Sequence, residues 1–297
     1  MTSNKRKIIL IISVCLELMW GYINTNNYTR IKMLINDTTH GKQVVEELLK
    51  LFNKYGIPVT WATVGGLFLE KHEIDEILNQ MKLPVILKEY NKLKIDNMLY
   101  GKDLIEKIIS SNINHEIGYH TFTHTVLAKC SEDVAELEIR RGVEVAKKEF
   151  GLHLQSFVFP ENKICYLNLL KKYGFKVFRG ENIWRLKEST FRGRLFNSIL
   201  ANKVIPWREY NGLLKIPTSM LFDNPVPLPI LKAVNGIEWG ENGYIFHISM
   251  HPESILTYRN SLKLQLELFL KYVARKVNQR KIDVLTMGEL PLFGGEI

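Results

Sequence analysis

The chain has 297 residues, of which 46% are hydrophobic and 24% are charged. This balance is typical of a globular protein and excludes a disordered one, and the length allows two small domains or one α/β barrel. The formal net charge is +9, but the basic residues occur in short runs such as residues 5–7 and 140–141. Because solvent-exposed faces explain such runs, we expect no nucleic-acid partner.

The three cysteines, Cys15, Cys130 and Cys165, show no Cys-x-x-Cys spacing. An odd number without that spacing argues against a disulfide framework and indicates a reducing compartment, for which we expect a bacterial cytoplasm. Residues 5–15 resemble the start of a signal peptide, but the apolar run is short and no small-residue cleavage site follows, so a buried strand is favoured. An N-terminal membrane anchor is the alternative, although no segment has the roughly 20 apolar residues of a membrane span.

Apolar periodicity predicts strands and helices that alternate along the chain. In order, we expect strand 8–18, helix 44–52, strand 59–64, helix 103–109, strand 113–117, helix 132–150, strand 156–159, helix 164–173, strand 175–178, strand 244–250, helix 261–277 and strand 283–286. Strands separated by helices imply βαβ units and a mostly parallel sheet. Ligands of such folds bind at the C-terminal ends of the strands.

Reactive side chains follow four of the predicted strands, at Glu17, His120, residues 160–162 and His251. His120 and His124 are four residues apart, and on a helix this spacing places both imidazoles on one face. Two neutral imidazoles and the Glu17 carboxylate could hold one metal ion with an open coordination position, which allows hydrolysis. The alternative is a helix N-terminus with two hydrogen-bonded imidazoles and no metal.

The segment His120-Thr-x-x-His124 resembles the metal-binding motif of the polysaccharide deacetylases, which share the NodB homology domain. Residues 15–21 are similar to the Asp-x-Glu-x-x-Trp-Gly strand of one bacterial branch. Further similar segments follow in the family's order, at 55–64, 157–162, 174–180, 246–252 and 286–289. The resemblance implies one domain over residues 1–297, folded as a distorted (β/α) barrel with about seven parallel strands, and a divalent metal, usually zinc.

The resemblance also implies a metal-dependent hydrolase that removes an N-acetyl group from an amino sugar of a polysaccharide or its precursor. Glu17, His120 and His124 match the metal ligands, and the metal would activate water and polarise the acetyl carbonyl. His251 matches the late histidine that protonates the leaving amine. An ordinary imidazole pKa of about 6.5 suits that role at neutral pH.

Substrate contacts are expected from three residues near the same strand ends. Trp20 lies just beyond the first strand, where its ring could stack on a sugar at the rim of the site. Pro160 and Asn162 lie in the segment that matches the family's third motif region.

Two positions depart from the family's pattern. Cys15 stands where that branch has the Asp that acts as general base, and Glu161 stands where relatives carry Arg. Because a strand places residues 15 and 17 on one face, Cys15 should point at the site, where its thiol could ligate zinc as a thiolate or act as a poor base. In relatives the Arg offsets the negative charge near the Asp. Because Cys15 removes that negative charge, the loss of the Arg at position 161 is consistent with the loss of the Asp at position 15.

Three accounts of function are therefore open. In the first, the enzyme works with a rearranged base, such as Glu161 or metal-activated water itself. In the second, the catalytic step is lost, and a protein that binds a metal or a glycan remains. In the third, the same fold hydrolyses C–N bonds in substrates other than sugars.

Overall fold

The computed structural model describes residues 7–23, 38–80, 98–182, 208–210, 212–223, 229–238, 244–257 and 259–293. The strands in these ranges are β1 (Ile8–Leu16), β2 (Thr60–Thr63), β3 (Glu116–Tyr119), β4 (Ser156–Phe157), β5 (Val177–Asn182), β6 (Arg208–Tyr210), β7 (Leu213–Thr218), β8 (Met220–Leu221), β9 (Ile245–Met250) and β10 (Ile282–Val284). The helices are Trp20–Ile23, Thr38–Tyr55, Lys71–Gln80, Lys102–Ile109, Glu132–Phe150, Leu167–Lys172, Pro229–Glu238, Pro252–Thr257, Arg259–Asn278 and Leu290–Phe293. Short 3-10 turns lie at Gly65–Phe68, Leu127–Lys129 and Pro160–Asn162.

Eight parallel strands form a nearly closed barrel in the order β7-β5-β4-β3-β2-β1-β9-β8. Ser219 alone separates β7 from β8, and its backbone N–H donates to the His247 carbonyl of β9 at 2.8 Å. β7 pairs with β5 at one edge of the sheet, and β8 pairs with β9 at the other edge. Because β7 and β8 follow each other in one segment, this segment closes the barrel as a single strand position, so the eight strands occupy seven positions around the barrel. The prediction of a distorted (β/α) barrel with about seven parallel strands is confirmed. β6 pairs antiparallel with β7, and β10 pairs with the start of β1.

β1 is the central strand, and every one of its nine residues is buried. It contacts β9 on one side and β2 on the other, which explains its nearly continuous apolar sequence. The predicted strand 8–18 ends earlier, at Leu16, because Leu18 has φ 47° and the chain turns into the helix Trp20–Ile23. Residues 15 and 17 thus lie on the inner side of the barrel, at the C-terminal end of its central strand.

The helix Glu132–Phe150 follows the sequence prediction closely. Acidic residues occupy its first turn and lysines its last turn, as the helix dipole favours, and Gly151 ends it with φ 66°. One stripe of small and apolar residues packs on the barrel: Ala135, Ile139, Gly142 and Ala146 are buried. None of the helices in the described ranges has the length and apolar character needed to cross a membrane.

Strand β3 begins at Glu116, three residues later than predicted. The preceding residues use side-chain hydrogen bonds instead of a ladder, since the Val59 backbone N–H donates to His115 Nδ1 and the Ile113 N–H donates to Ser111 Oγ. Pairing with β2 therefore starts at Glu116 and continues to Tyr119. The shift places His120 directly after the last paired residue of β3.

Candidate metal centre

Glu17, His120 and His124 come together at the C-terminal end of the barrel. Glu17 Oε1 lies 3.0 Å from His120 Nε2 and 3.5 Å from His124 Nε2. One potential ligand atom from each residue lies within 4.8 Å of the other two. Glu17 and His120 are buried, and His124 is half-buried. The sequence analysis named these three residues as metal ligands, and the structure brings them together; that they hold a metal stays a prediction.

The histidine pair lies on a loop, so the prediction that both histidines belong to a helix was wrong. Residues 120–126 contain no helical turn, and both Thr121 (φ 61°) and His124 (φ 60°) have left-handed backbone conformations. Non-glycine residues in that region cost about 1–3 kcal/mol each and persist only where surrounding contacts hold them. The two imidazole rings meet edge to face, with centroids 4.9 Å apart.

Glu138, on the helix Glu132–Phe150, holds this loop in place. Its carboxylate accepts hydrogen bonds from the backbone N–H groups of Phe122 (2.8 Å) and Thr123 (2.9 Å) and from the Thr123 hydroxyl (2.7 Å). From the other side, the N–H groups of Gly65 and Gly66 donate to the carbonyls of Thr121 and Phe122. These contacts fix the backbone that presents His124.

The orientation of His120 tests whether these residues fit a metal. Its Nδ1 lies 2.6 Å from the Val158 carbonyl oxygen, which can only accept, so Nδ1 carries the hydrogen. Burial lowers the pKa of His120 to about 4, so the ring is neutral at pH 7 and Nε2 is a lone pair facing Glu17 Oε1 at 3.0 Å. Two acceptors then face each other, and a cation between them would satisfy both. Two imidazoles and a carboxylate are also a zinc-type donor set, so the residues fit the group.

Glu17 is anionic at neutral pH. Burial alone would raise the pKa of its carboxyl group, but the attraction of His124 is the largest of the effects that lower this pKa well below its usual value. Burial also works against a charge on His124, yet the Glu17 carboxylate raises the pKa of His124 above its ordinary value. The Glu17 carboxylate therefore carries the negative charge that a metal ligand needs, even before a metal binds.

Gly21 makes room for the Glu17 carboxylate. A Cβ atom at position 21 would lie 2.1 Å from Glu17 Oε2 and 3.1 Å from Glu17 Cδ. Gly21 does not have positive φ, so the requirement for glycine here is one of space.

His251 and Asp223 form a pair beside this cluster. His251 follows β9, and its Nδ1 and backbone N–H contact the two oxygens of Asp223 at 2.7 and 2.8 Å. Its Nε2 points to Glu17 Oε1 at 3.8 Å. Burial alone would lower the pKa of His251, but Asp223 and the adjacent Cys15 raise this pKa well above its ordinary value. Sequence analysis missed Asp223, because it follows a strand of two residues, which leaves no periodic pattern.

Cys15 is fully buried and faces the same cluster, and an arginine accompanies it. Arg179, on β5, donates from Nη1 to Cys15 Sγ at 3.3 Å and from Nε to Asn162 Oδ1 at 3.1 Å. The expectation that the cation disappeared together with the acid at position 15 was therefore wrong. Arg179 lies inside the segment 174–180 singled out from the sequence, but sequence analysis gave it no role. Asn162 contacts Arg179, and Pro160 is buried at the start of the turn that presents Asn162.

Glu161 and Trp20 are not brought to the cluster by their described contacts. The Glu161 side chain is half-exposed, and its carboxylate forms ion pairs with Lys129 and Lys163, both at 3.0 Å. Trp20 is fully buried, and its indole N–H donates to the Leu99 carbonyl at 2.8 Å. The prediction that Trp20 lies at the rim was wrong, because its ring is buried in the hydrophobic core and its indole N–H is bonded to a buried backbone carbonyl.

Comparison with known proteins agrees with the geometry. The polysaccharide deacetylase family model matches residues 25–178, just over half of the chain, and this stretch includes His120 and His124. The peptidoglycan deacetylase of Helicobacter pylori is 28% identical over an alignment of 142 positions that covers 46% of this chain. The match spans only 36% of that relative's length.

Two solved structures share the fold. A Mycobacterium smegmatis protein classed as a polysaccharide deacetylase has a TM-score of 0.61 and 15% identity, covering 98% of this chain and 91% of its own. Puue allantoinase has a TM-score of 0.57 and 13% identity, covering 96% and 89% of the two chains. The family match and the shared barrel lead to one conclusion: the chain belongs to the polysaccharide deacetylase family.

Proposed function

We propose that this protein is a metal-dependent hydrolase that removes an N-acetyl group from an amino sugar of a polysaccharide or its precursor. The observation on which this depends is the convergence of the Glu17 carboxylate with the Nε2 atoms of His120 and His124. Family membership and the name of the Helicobacter pylori relative support an acetylated carbohydrate as the substrate.

Glu17, His120 and His124 would hold the metal, which we propose to be zinc. When bound, a divalent metal at this position would polarise the acyl carbonyl and make water more acidic. The surrounding residues prepare the site in advance. The Val158 carbonyl fixes the hydrogen of His120 on Nδ1, and Glu138 fixes the loop that presents His124.

His251 is proposed as the proton donor. Asp223 accepts a hydrogen bond from Nδ1, which fixes the ring with Nε2 directed toward Glu17. Because Asp223 keeps the pKa of His251 high, its ring holds a proton at neutral pH that Nε2 can give to the leaving amine.

Cys15 occupies the position from which the family's general base acts. Its thiol is a weaker proton acceptor than a carboxylate, so we expect slow turnover in the natural protein. A carboxylate at position 15 would meet the Arg179 guanidinium, which now donates to the Cys15 sulfur, and that contact would hold it ionised. Cys15→Asp is therefore expected to raise the rate.

The test is acetate release from N-acetylated glucosamine oligomers and from peptidoglycan, with the zinc content of the protein measured in parallel. We expect release by the protein loaded with one zinc ion per chain, faster release by Cys15→Asp, and loss of activity with a lower zinc content in His124→Ala. Glu161→Gln is the matched control, since its carboxylate pairs with surface lysines. If zinc binds and the natural protein releases no acetate, the hydrolase proposal fails and the binding-protein account replaces it, and release by Cys15→Asp alone would support that account.

A further inference from the structure

We propose that Cys15, Glu17 and His251 form a second metal-binding position that takes a soft divalent cation such as zinc or cadmium. This inference rests on the proposed function because the second position shares Glu17 with the first. One potential ligand atom from each of the three residues lies within 4.8 Å of the other two. Their positions in the barrel explain this, since Cys15 lies on β1, Glu17 directly follows β1, and His251 directly follows the adjacent parallel strand β9.

His251 has the orientation of a metal ligand. Histidines that bind metals usually donate their second ring N–H to a carboxylate or a carbonyl, which fixes the remaining nitrogen toward the metal. His251 does so through Nδ1 and Asp223 at 2.7 Å, and His120 does so through Nδ1 and the Val158 carbonyl at 2.6 Å. In both cases Nε2 is directed to the same Glu17 oxygen.

The sulfur of Cys15 lies beside a positively charged group, the Arg179 guanidinium, which would stabilise a thiolate. On metal binding the thiol proton would pass to solvent, and the thiolate would become the ligand. Arg179 donates to this sulfur at 3.3 Å, so it would stabilise the thiolate with a charge-assisted hydrogen bond while other lone pairs face Glu17 and His251. A thiolate prefers zinc or cadmium to magnesium or manganese, which sets the class of cation.

Occupation of the second position has a consequence for turnover. His251 Nε2 cannot hold a metal and a proton at the same time, so a cation bound there removes the proposed proton donor. Activity should therefore rise as the first position fills with zinc and fall again as the second position fills. Magnesium, which thiolates bind poorly, should not cause the second phase.

Cobalt titration of the full chain tests the inference without reference to activity. A thiolate ligand gives cobalt a charge-transfer absorption in the near ultraviolet, and we expect this band in the natural protein with two cobalt ions bound per chain. Cys15→Ser should abolish the band and lower the stoichiometry to one, whereas Cys130→Ser should change neither. His124→Ala removes the first position only, so it should keep the band, and this separates the inference from the proposed function.

Two outcomes would overturn the inference: a cobalt-saturated natural protein without the band, or a band that survives in Cys15→Ser. If Cys15→Ser does not fold, X-ray absorption at the zinc edge decides the question in a Cys130→Ser/Cys165→Ser variant, where Cys15 is the remaining thiol. Sulfur at about 2.3 Å from one of the two zinc ions is the expected result, and a shell of nitrogen and oxygen alone contradicts it.

Discussion

Replacing Gly21 with alanine should displace the Glu17 carboxylate and weaken metal binding, although every proposed ligand is left chemically intact. The new Cβ would lie 2.1 Å from Glu17 Oε2, whereas Cβ contacts shorter than 3.0 Å essentially never occur in proteins. The carboxylate must therefore move by about 1 Å. Ligand distances at a metal tolerate only about 0.2 Å.

The size of the effect follows from this displacement. Loss of the groups that orient a metal ligand costs roughly 10–100-fold in metal affinity, and the upper value is equivalent to about 2.8 kcal/mol. At a zinc concentration 100 times the natural protein's Kd, zinc stabilises that protein by about 2.7 kcal/mol, and it stabilises the variant by only about 0.4 kcal/mol. For a chain of this length, these values correspond to a rise in Tm of about 5 °C and about 1 °C.

Zinc affinity by competition with a chelating dye, together with Tm with and without zinc, measures both quantities. Gly41→Ala is the matched control, because Gly41 also lies in a helix and a Cβ there meets nothing within 4 Å. It should keep the natural zinc affinity and gain up to about 1 kcal/mol from helix propensity. If Gly21→Ala folds and binds zinc as tightly as Gly41→Ala does, the placement of Glu17 against Gly21 is refuted.

Three further predictions concern neighbouring residues. Asp223→Asn removes the main cause of the raised pKa of His251. Because the protonated ring is the active form, the alkaline limb of the kcat–pH profile should move to lower pH, and an unchanged limb would contradict the role of the pair. Trp20→Phe leaves the buried Leu99 carbonyl without its donor, so urea unfolding should show a loss of about 1–3 kcal/mol in the free energy of unfolding. A raised KM with unchanged stability would instead indicate that Trp20 contacts the substrate at the rim of the site. Glu161→Gln breaks only exposed ion pairs, so we expect a change below about 1 kcal/mol in unfolding free energy and unaltered kcat/KM. A large loss of kcat/KM in this variant would restore Glu161 as a base.

Local pattern was enough to predict a mostly parallel sheet and part of the site, and the resemblance to the polysaccharide deacetylases added the barrel. The continuous apolar run of β1 and the stripe on the helix Glu132–Phe150 are properties of neighbouring residues; the helix has the predicted bounds, and the strand begins at the predicted residue and ends two residues early. Glu17, His120 and His251 could be named because each follows a strand, and parallel strands end on the same side of a barrel. His124 was named for helical spacing, yet it lies close to Glu17 on a loop.

Contacts between distant segments could not be predicted in this way. Arg179 contacts Cys15 across 164 positions of sequence, and Asp223 reaches His251 from a strand of two residues. The left-handed backbone at His124 depends on Glu138, which belongs to the following helix. The partners in the Arg179–Cys15 and Asp223–His251 contacts are too far apart in the sequence to belong to one helix or strand, so no local periodicity indicates these contacts.

The sequence by itself determined the alternation of strands and helices, the inward face of β1 and the strand ends at which reactive residues stand, because each of these depends on side chains next to one another in the chain. Only the tertiary structure decided that Trp20 belongs to the core, that Glu161 pairs with surface lysines and that Arg179 accompanies Cys15. Whether a side chain is buried and which residue it pairs with depend on the segments that pack against it, and these segments come together only when the barrel forms.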